Sequence, residues 1–222
     1  MSVSEDRTVQ PSATTAPPSG IADPAPLGLA AFALTTFLLS AKNAGWMTHA
    51  TGSAFLGYAF AYGGVAQFAA GMWEFTRGNV FGAVAFASYG GFWLGLGLWV
   101  LLVANPAVAA IRPATLASTV SGLNHDLGWI LLAFFIFNTY MLILSTQINM
   151  AVFLVFLTLE ATEIILFIGF FSGSSGTIKF GGYIGIVTAL VAWYTSAAGV
   201  VNGMRGTPFL PVGKPFGMGA AS

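Results

Sequence analysis

The chain of 222 residues carries 7 Lys+Arg and 7 Asp+Glu, a net charge of zero, with charged residues at 6% and hydrophobic ones at 56%. Soluble domains hold roughly 25% charged residues, so this composition excludes a water-solvated enzyme and, for most of the chain, intrinsic disorder. The balanced charge leaves no basic footprint for nucleic acid, and the absence of cysteine removes disulfides, thiolate chemistry and Cys-based metal sites. Together with a mean hydropathy of +0.82, these features define an all-α integral membrane protein.

Residues 1–23 are rich in Ser, Thr, Pro and Ala and read as a disordered tail. No basic segment leads into a short apolar core there, so a cleaved secretory signal is not expected. A six-helix transmembrane domain is expected over 24–204, followed by a non-helical tail over 205–222 that holds Pro208, Pro211 and Pro215. A helix needs about 20 apolar residues to cross a bilayer. The neutral runs between charges place six spans near 27–47, 54–73, 80–102, 124–145, 149–171 and 181–204.

Span 1 starts after Asp23-Pro24-Ala25-Pro26, where proline suits a first helical turn. The small polar stretch 48–53 separates spans 1 and 2, and Glu74 to Asn79 separates spans 2 and 3. The longest connection runs from Ala104 to Gly122, with Asn105-Pro106 and Arg112-Pro113 inside it. Spans 4 and 5 turn at Ser145 to Asn149, and the Gly/Ser-rich stretch from Ser172 to Thr177 joins spans 5 and 6. An even number of spans puts both termini on one side. Arg7, Arg77, Arg205 and Lys214 then face Lys42, Arg112 and Lys179 across the membrane, a small bias towards cytoplasmic termini.

Glycines at four-residue spacing (Gly78/Gly82, Gly91/Gly95, Gly181/Gly185, Gly199/Gly203) allow helix backbones to approach closely, either within one subunit or between subunits. Polar residues fall into stripes: Phe32, Thr36, Leu39 and Asn43 in span 1; Gly63, Gln67, Gly71 and Glu74 in span 2; Thr188, Ala192, Thr195, Gly199 and Asn202 in span 6. Each hydroxyl can bond its own preceding turn, or the stripes can line an interior path. Glu160 and Glu163 stand apart, well inside span 5 among Leu, Ile and Phe. A carboxylate at that depth should face a cavity or carry a proton, unless a shifted span leaves it at a wet mouth. The two histidines, His49 and His125, lie near span ends, so no metal or haem ligation is expected and no cofactor is implied. No nucleophile, base and acid set appears either; the pattern argues transport rather than catalysis.

The segment Asp23-Pro24-Ala25-Pro26-Leu27-Gly28-Leu29 resembles the NPAPLGL motif of the acetate uptake transporter family, also described as GPR/FUN/YaaH-like. The resemblance continues through Phe32, Thr35-Thr36, Asn43-Ala44-Gly45, Tyr62-Gly63-Gly64-Val65-Ala66-Gln67, Glu74, Gly78 to Gly82, Ala85 to Trp93, and Leu210-Pro211-Val212-Gly213. It implies a six-helix subunit in a homohexamer in the cytoplasmic membrane, each subunit passing acetate and related short carboxylates, including succinate in some members. Proton coupling is implied, and a channel-like mode has also been argued for the family. A hydrophobic constriction would be formed by Phe32, Tyr89 and Leu159. The path would be lined by Thr35, Thr36, Asn43, Tyr62, Gln67, Glu74, Ala192 and Thr195, with Asp23, Pro24, Pro26, Leu27 and Gly28 forming the helix-start motif. Two departures stand out: Asp23 replaces the motif's Asn and adds a negative charge at the entrance, and Glu160 and Glu163, a possible proton site, lie outside the motifs. They leave the anion, the neutral acid and a different solute all open. The alternative is an uncoupled channel for acetate, ammonium or a small neutral solute.

Overall fold

The computed structural model describes residues 20–47, 54–104 and 120–217, and every regular element among them is helical. Helix α1 spans Ala25–Asn43. Helix α2 (Phe55–Phe60) runs through π turns at Ala61–Ala66 into α3 (Gln67–Arg77). Helix α4 covers Val80–Trp99 and loosens into π turns at Val100–Ala104. Helices α5 (Val120–Ser145), α6 (Met150–Ser172) and α7 (Ser175–Arg205) complete the bundle. Five helical segments among the described residues are long and apolar enough to cross a membrane. Residues 1–19 of the tail expected over 1–23, the connection at 48–53 with His49, the stretch at 105–119 with Arg112 and residues 218–222 of the tail expected over 205–222 lie outside the described residues.

Local chemistry sets the helix ends. Pro24 stands at the start of α1, where a missing N–H leaves no bond unmade. The Asn79 and Asn149 side chains accept the N–H groups of Gly82 and Val152 at 3.1 and 2.9 Å, capping α4 and α6. Gly78 and Gly173 end the preceding helices in the left-handed region, at φ 75° and 65°, so the chain reverses within two residues. This corrects two expectations. Gly78 is a turn residue and not half of a packing pair, and the last helix starts at Ser175 instead of 181. The Gly/Ser stretch is not a long linker, because Ser174 accepts the Thr177 N–H and starts the helix at once. Lys179, expected just before that span, lies inside α7.

Large apolar side chains face outward all round: Ile136, Ile143, Val80 and Leu190 are each more than half exposed. Water would not tolerate such a surface, whereas lipid would. Inside, small residues bring α1 and α7 together most extensively, with α6 against α7 and α5 against α6. A Cβ on Gly182 would strike the backbone of Ala44 and the carbonyl of Ser40, and one on Gly185 would strike the Ser40 hydroxyl. The main core gathers Phe32 and Ala33 from α1, Ala85 and Tyr89 from α4, Met141 from α5, Val155, Phe156 and Leu159 from α6, and Ala192 from α7. Residues 206–217, the described part of the chain after α7, hold no helix and fold back over one end of the bundle. The Asn202 side chain accepts from the N–H groups of Phe209 and Leu210 and donates to the Leu210 carbonyl, while Val212 accepts the Ala151 N–H.

Candidate functional site

Helices α1, α4 and α6 begin at the end of the bundle where α3, α5 and α7 finish, and a vestibule of about 430 Å³ opens there. Its polar lining comes from Asp23, Arg77, Asn79, Asn149, Thr195 and Asn202. The charge that Asp23 adds is compensated. Its carboxylate forms an ion pair with Arg77 and accepts the Ala25 N–H, closing the start of α1. Glu74 lies beneath, fully buried; its Oε2 accepts from Asn79 Nδ2 at 3.0 Å and sits 3.7 Å from Arg77 Nη1.

Ala25, Leu29, Asn79, Ile148 and Val152 also line a narrower cavity of about 90 Å³ that reaches inward to Gln67, Phe32, Tyr89 and Leu159. At roughly 30 Å³ per water, the inner cavity has room for only a few small molecules. The Phe32 and Tyr89 rings meet edge-on with centroids 5.7 Å apart, and Leu159 lies in the same packed cluster. Phe134 and Phe137 of α5 lean on the Tyr89 ring from the other side, at 5.7 and 5.5 Å. Phe32, Tyr89 and Leu159 are thus brought together, from α1, α4 and α6.

The expected path residues divide. Gln67 lines the inner cavity with its Oε1 buried and unpartnered, and Thr195 lines the vestibule. Ala192 is fully buried in the cluster around Tyr89. Thr35, Thr36, Asn43, Tyr62 and Glu74 line neither cavity. The Thr35 and Thr195 hydroxyls donate to the carbonyls four residues earlier, Ala31 and Val191, at 3.0 and 2.8 Å. Thr36 Oγ1 and Trp93 Nε1 are buried without a partner near the same region of α1 and α4. In the helix-start motif, Pro26 has its carbonyl bonded by Ser196 at 2.6 Å, and Gly28 lets the Phe86 ring lie against α1. Leu27 points outward.

Behind Tyr89 lies a polar cluster. The Tyr89 hydroxyl is 3.0 Å from Asn138 Oδ1 and 3.4 Å from Glu163 Oε1. Asn138 Nδ2 donates to Glu160 Oε2 at 2.6 Å and to the Phe156 carbonyl at 3.0 Å, and Thr139 Oγ1 lies 2.7 Å from Glu160 Oε1. Glu163 is buried and its Oε2 has no partner. The depth expected for the two carboxylates holds for Glu163, while Glu160 is partly exposed. Sequence reading passed over Asn138, which is fully buried. An amide directly after the apolar run Leu131 to Phe137 is the signal the sequence offers.

Fold and site define a helical membrane protein with a polar vestibule beside a smaller cavity lined mainly by aromatic and aliphatic side chains. The chain belongs to the GPR1/FUN34/yaaH family, whose model matches residues 6–213. It is 38% identical over 199 residues to Acetate permease A of Emericella nidulans, an alignment that takes in 86% of this chain and 65% of that protein. The chain therefore spans about two thirds of that relative's length. It is 34% identical over 194 residues to the succinate-acetate/proton symporter SatP of Escherichia coli K12, covering 87% of this chain and 96% of the symporter. A solved structure described as the bacterial acetate channel SatP superposes with a TM-score of 0.76 at 34% identity, over 87% of this chain and 99% of that one.

Proposed function

We propose that the chain carries acetate and related short carboxylates across the cytoplasmic membrane, one path per subunit, closed at Phe32, Tyr89 and Leu159. The observation that supports this reading most is the inner cavity of about 90 Å³ ending on those three side chains, in a chain whose relatives include an acetate permease. Segment 55–77 serves as the sixth crossing: 23 residues at 1.5 Å rise give roughly 35 Å, enough for the ~30 Å hydrocarbon core despite the π turns. With six crossings both termini lie on one side, taken as cytoplasmic, and six subunits assemble as in the family reading above.

Entry begins at the vestibule, where the Arg77 guanidinium and the helix starts at Ala25, Asn79 and Asn149 favour an approaching carboxylate. The Gln67 amide is the first uncommitted polar group of the inner cavity: its oxygen accepts from a protonated acid, and its nitrogen donates to an anion. Beyond it a dry ring of Phe32, Tyr89 and Leu159 passes small, weakly hydrated solutes and holds back bulky ones. A proton enters with the acid or sits on the Glu160 and Glu163 pair. In proteoliposomes, labelled acetate uptake rises with an inward proton gradient; uptake indifferent to the gradient removes the coupling. The channel description attached to the SatP structure favours a second reading, uncoupled flux. Steady single-channel current in a planar bilayer decides for that reading.

A further inference from the structure

Donor and acceptor counting inside the cluster behind Tyr89 assigns its protons. The Phe156 carbonyl can only accept, so the Asn138 amide nitrogen must face it at 3.0 Å. The same nitrogen's second hydrogen goes to Glu160 Oε2 at 2.6 Å, a short contact of the kind made to a charged oxygen. Asn138 Oδ1 is thereby turned towards Tyr89 and can only accept, so the single Tyr89 hydroxyl proton is taken at 3.0 Å. What remains on the Tyr89 oxygen is lone pairs, and Glu163 Oε1 faces them at 3.4 Å. Two acceptors cannot bond; this contact is satisfied only if Glu163 brings the hydrogen.

The surroundings point the same way. Among the described residues neither carboxylate has an ion-pair partner, since both ion pairs there belong to Arg77. Glu163 faces Tyr89 from α4, Asn138 from α5 and Glu160 one turn earlier on α6; Tyr140 of α5 is the next titratable group of the cluster. Helix α7 contributes Thr188, engaged with Thr162 at 3.0 Å. Two negative charges one turn apart, Glu163 buried and Glu160 half-buried, would repel each other without a counter-ion, and Glu163 would also carry a large desolvation penalty. Glu160 Oε2 has the Asn138 amide as a firm donor, and its Oε1 shares the single Thr139 hydroxyl proton with the Phe135 carbonyl, at 2.7 and 2.9 Å, whereas Glu163 Oε2 is buried with none.

We propose that Glu163 holds a proton against Tyr89 while Glu160 keeps the negative charge, and that Asn138 is the positioning residue that fixes this division. This deepens the proton-coupled reading above and rests on it only for its use in transport. When Glu163 loses its proton, one Tyr89 hydrogen faces two acceptors, Asn138 and Glu163. The load on Glu163 is thereby coupled to the orientation of the hydroxyl at the constriction.

Infrared spectra of the full chain in proteoliposomes at neutral pH test the assignment without any flux measurement. The carboxylic-acid C=O band is expected in the wild type and in Glu160→Gln, and its Glu163 component is lost in Glu163→Gln, where the new amide keeps a donor towards Tyr89. A spectrum unchanged by Glu163→Gln, or that component lost with Glu160→Gln instead, overturns the division. A component that appears only after sodium is removed overturns it in favour of a bound metal cation. Asn138→Leu is expected to shift the component, because Tyr89 then turns its hydrogen to Glu163; Asn138→Ala serves if leucine prevents folding. An unshifted component overturns the positioning role. Acetate counterflow on the same vesicles reports the transport reading separately, so its failure and a failed assignment are distinguishable.

Discussion

Leu159 lines the inner cavity from α6, in one packed cluster with the edge-on pair of Phe32 and Tyr89. Leu159→Ala removes the aliphatic member of the proposed closure and, as a buried truncation, lowers stability by about 2–5 kcal/mol. The expected transport result is a rise in succinate flux relative to acetate; an unchanged ratio moves the constriction elsewhere. At the mouth, Asp23 holds Arg77 in an ion pair that is partly solvent-exposed, so its loss has little effect on stability. Asp23→Asn keeps an acceptor for the start of α1 and frees the guanidinium, so acetate uptake at low ionic strength should increase and the gain should fade with added salt. A salt-independent effect would mean that Asp23 acts through structure and not through charge. Single side chains near the motifs were legible in the sequence because Phe32, Tyr89 and Gln67 stand in recognisable surroundings. Asn138 was not: its partners Tyr89 and Glu160 lie 49 and 22 residues away, and no spacing within one helix reveals a contact made across three.

Helix boundaries were read closely wherever a charge, a proline or a capping Asn marks them, as at Ala25, Val80 and Met150. They were misread at Ser175, where Gly and Ser belong to a tight C-cap and N-cap pair and not to a linker. The stripes were a weaker guide, because Thr188 and Thr195 bond carbonyls of their own helix and Asn202 ties down the chain end. Glycine spacing alone also mixes distinct uses. Gly182 is the contact point of α7 with α1, backbone against backbone, whereas Gly91 has nothing within 4 Å and lies on an exposed face. Gly182→Leu therefore forces two core helices apart, beyond the 1–3 kcal/mol or so typical of overpacking, and should lower the melting temperature of the isolated subunit strongly. Gly91→Leu should leave that melting temperature unchanged while shifting assembly size in light scattering. An unaltered assembly would take the exposed α4 face out of the proposed subunit interface.

Seen whole, the vestibule, the start of α1 and the folded-back chain end occupy one side of the bundle, so the proposed path has a tethered entrance at that end. The tether depends heavily on Asn202, whose amide makes three hydrogen bonds to Phe209 and Leu210 and so presents Val212 to the vestibule wall and to the Ala151 N–H. Tyr194 adds a bond from its hydroxyl to the Pro211 carbonyl at 2.7 Å. Removing the amide in Asn202→Ala leaves the Phe209 and Leu210 backbone groups to water and releases the segment, since an exposed strand with few remaining bonds opens locally. Limited proteolysis of sealed vesicles reads the outcome and the sidedness together. With cytoplasmic termini, inverted vesicles carrying Asn202→Ala lose the chain end to protease faster than the wild type, and right-side-out vesicles keep it. Cleavage confined to right-side-out vesicles reverses the orientation and places the vestibule outside. Equal resistance of variant and wild type in both preparations shows that Tyr194, Val212 and the Phe216 and Gly217 bonds to the Thr146 carbonyl hold the segment without Asn202.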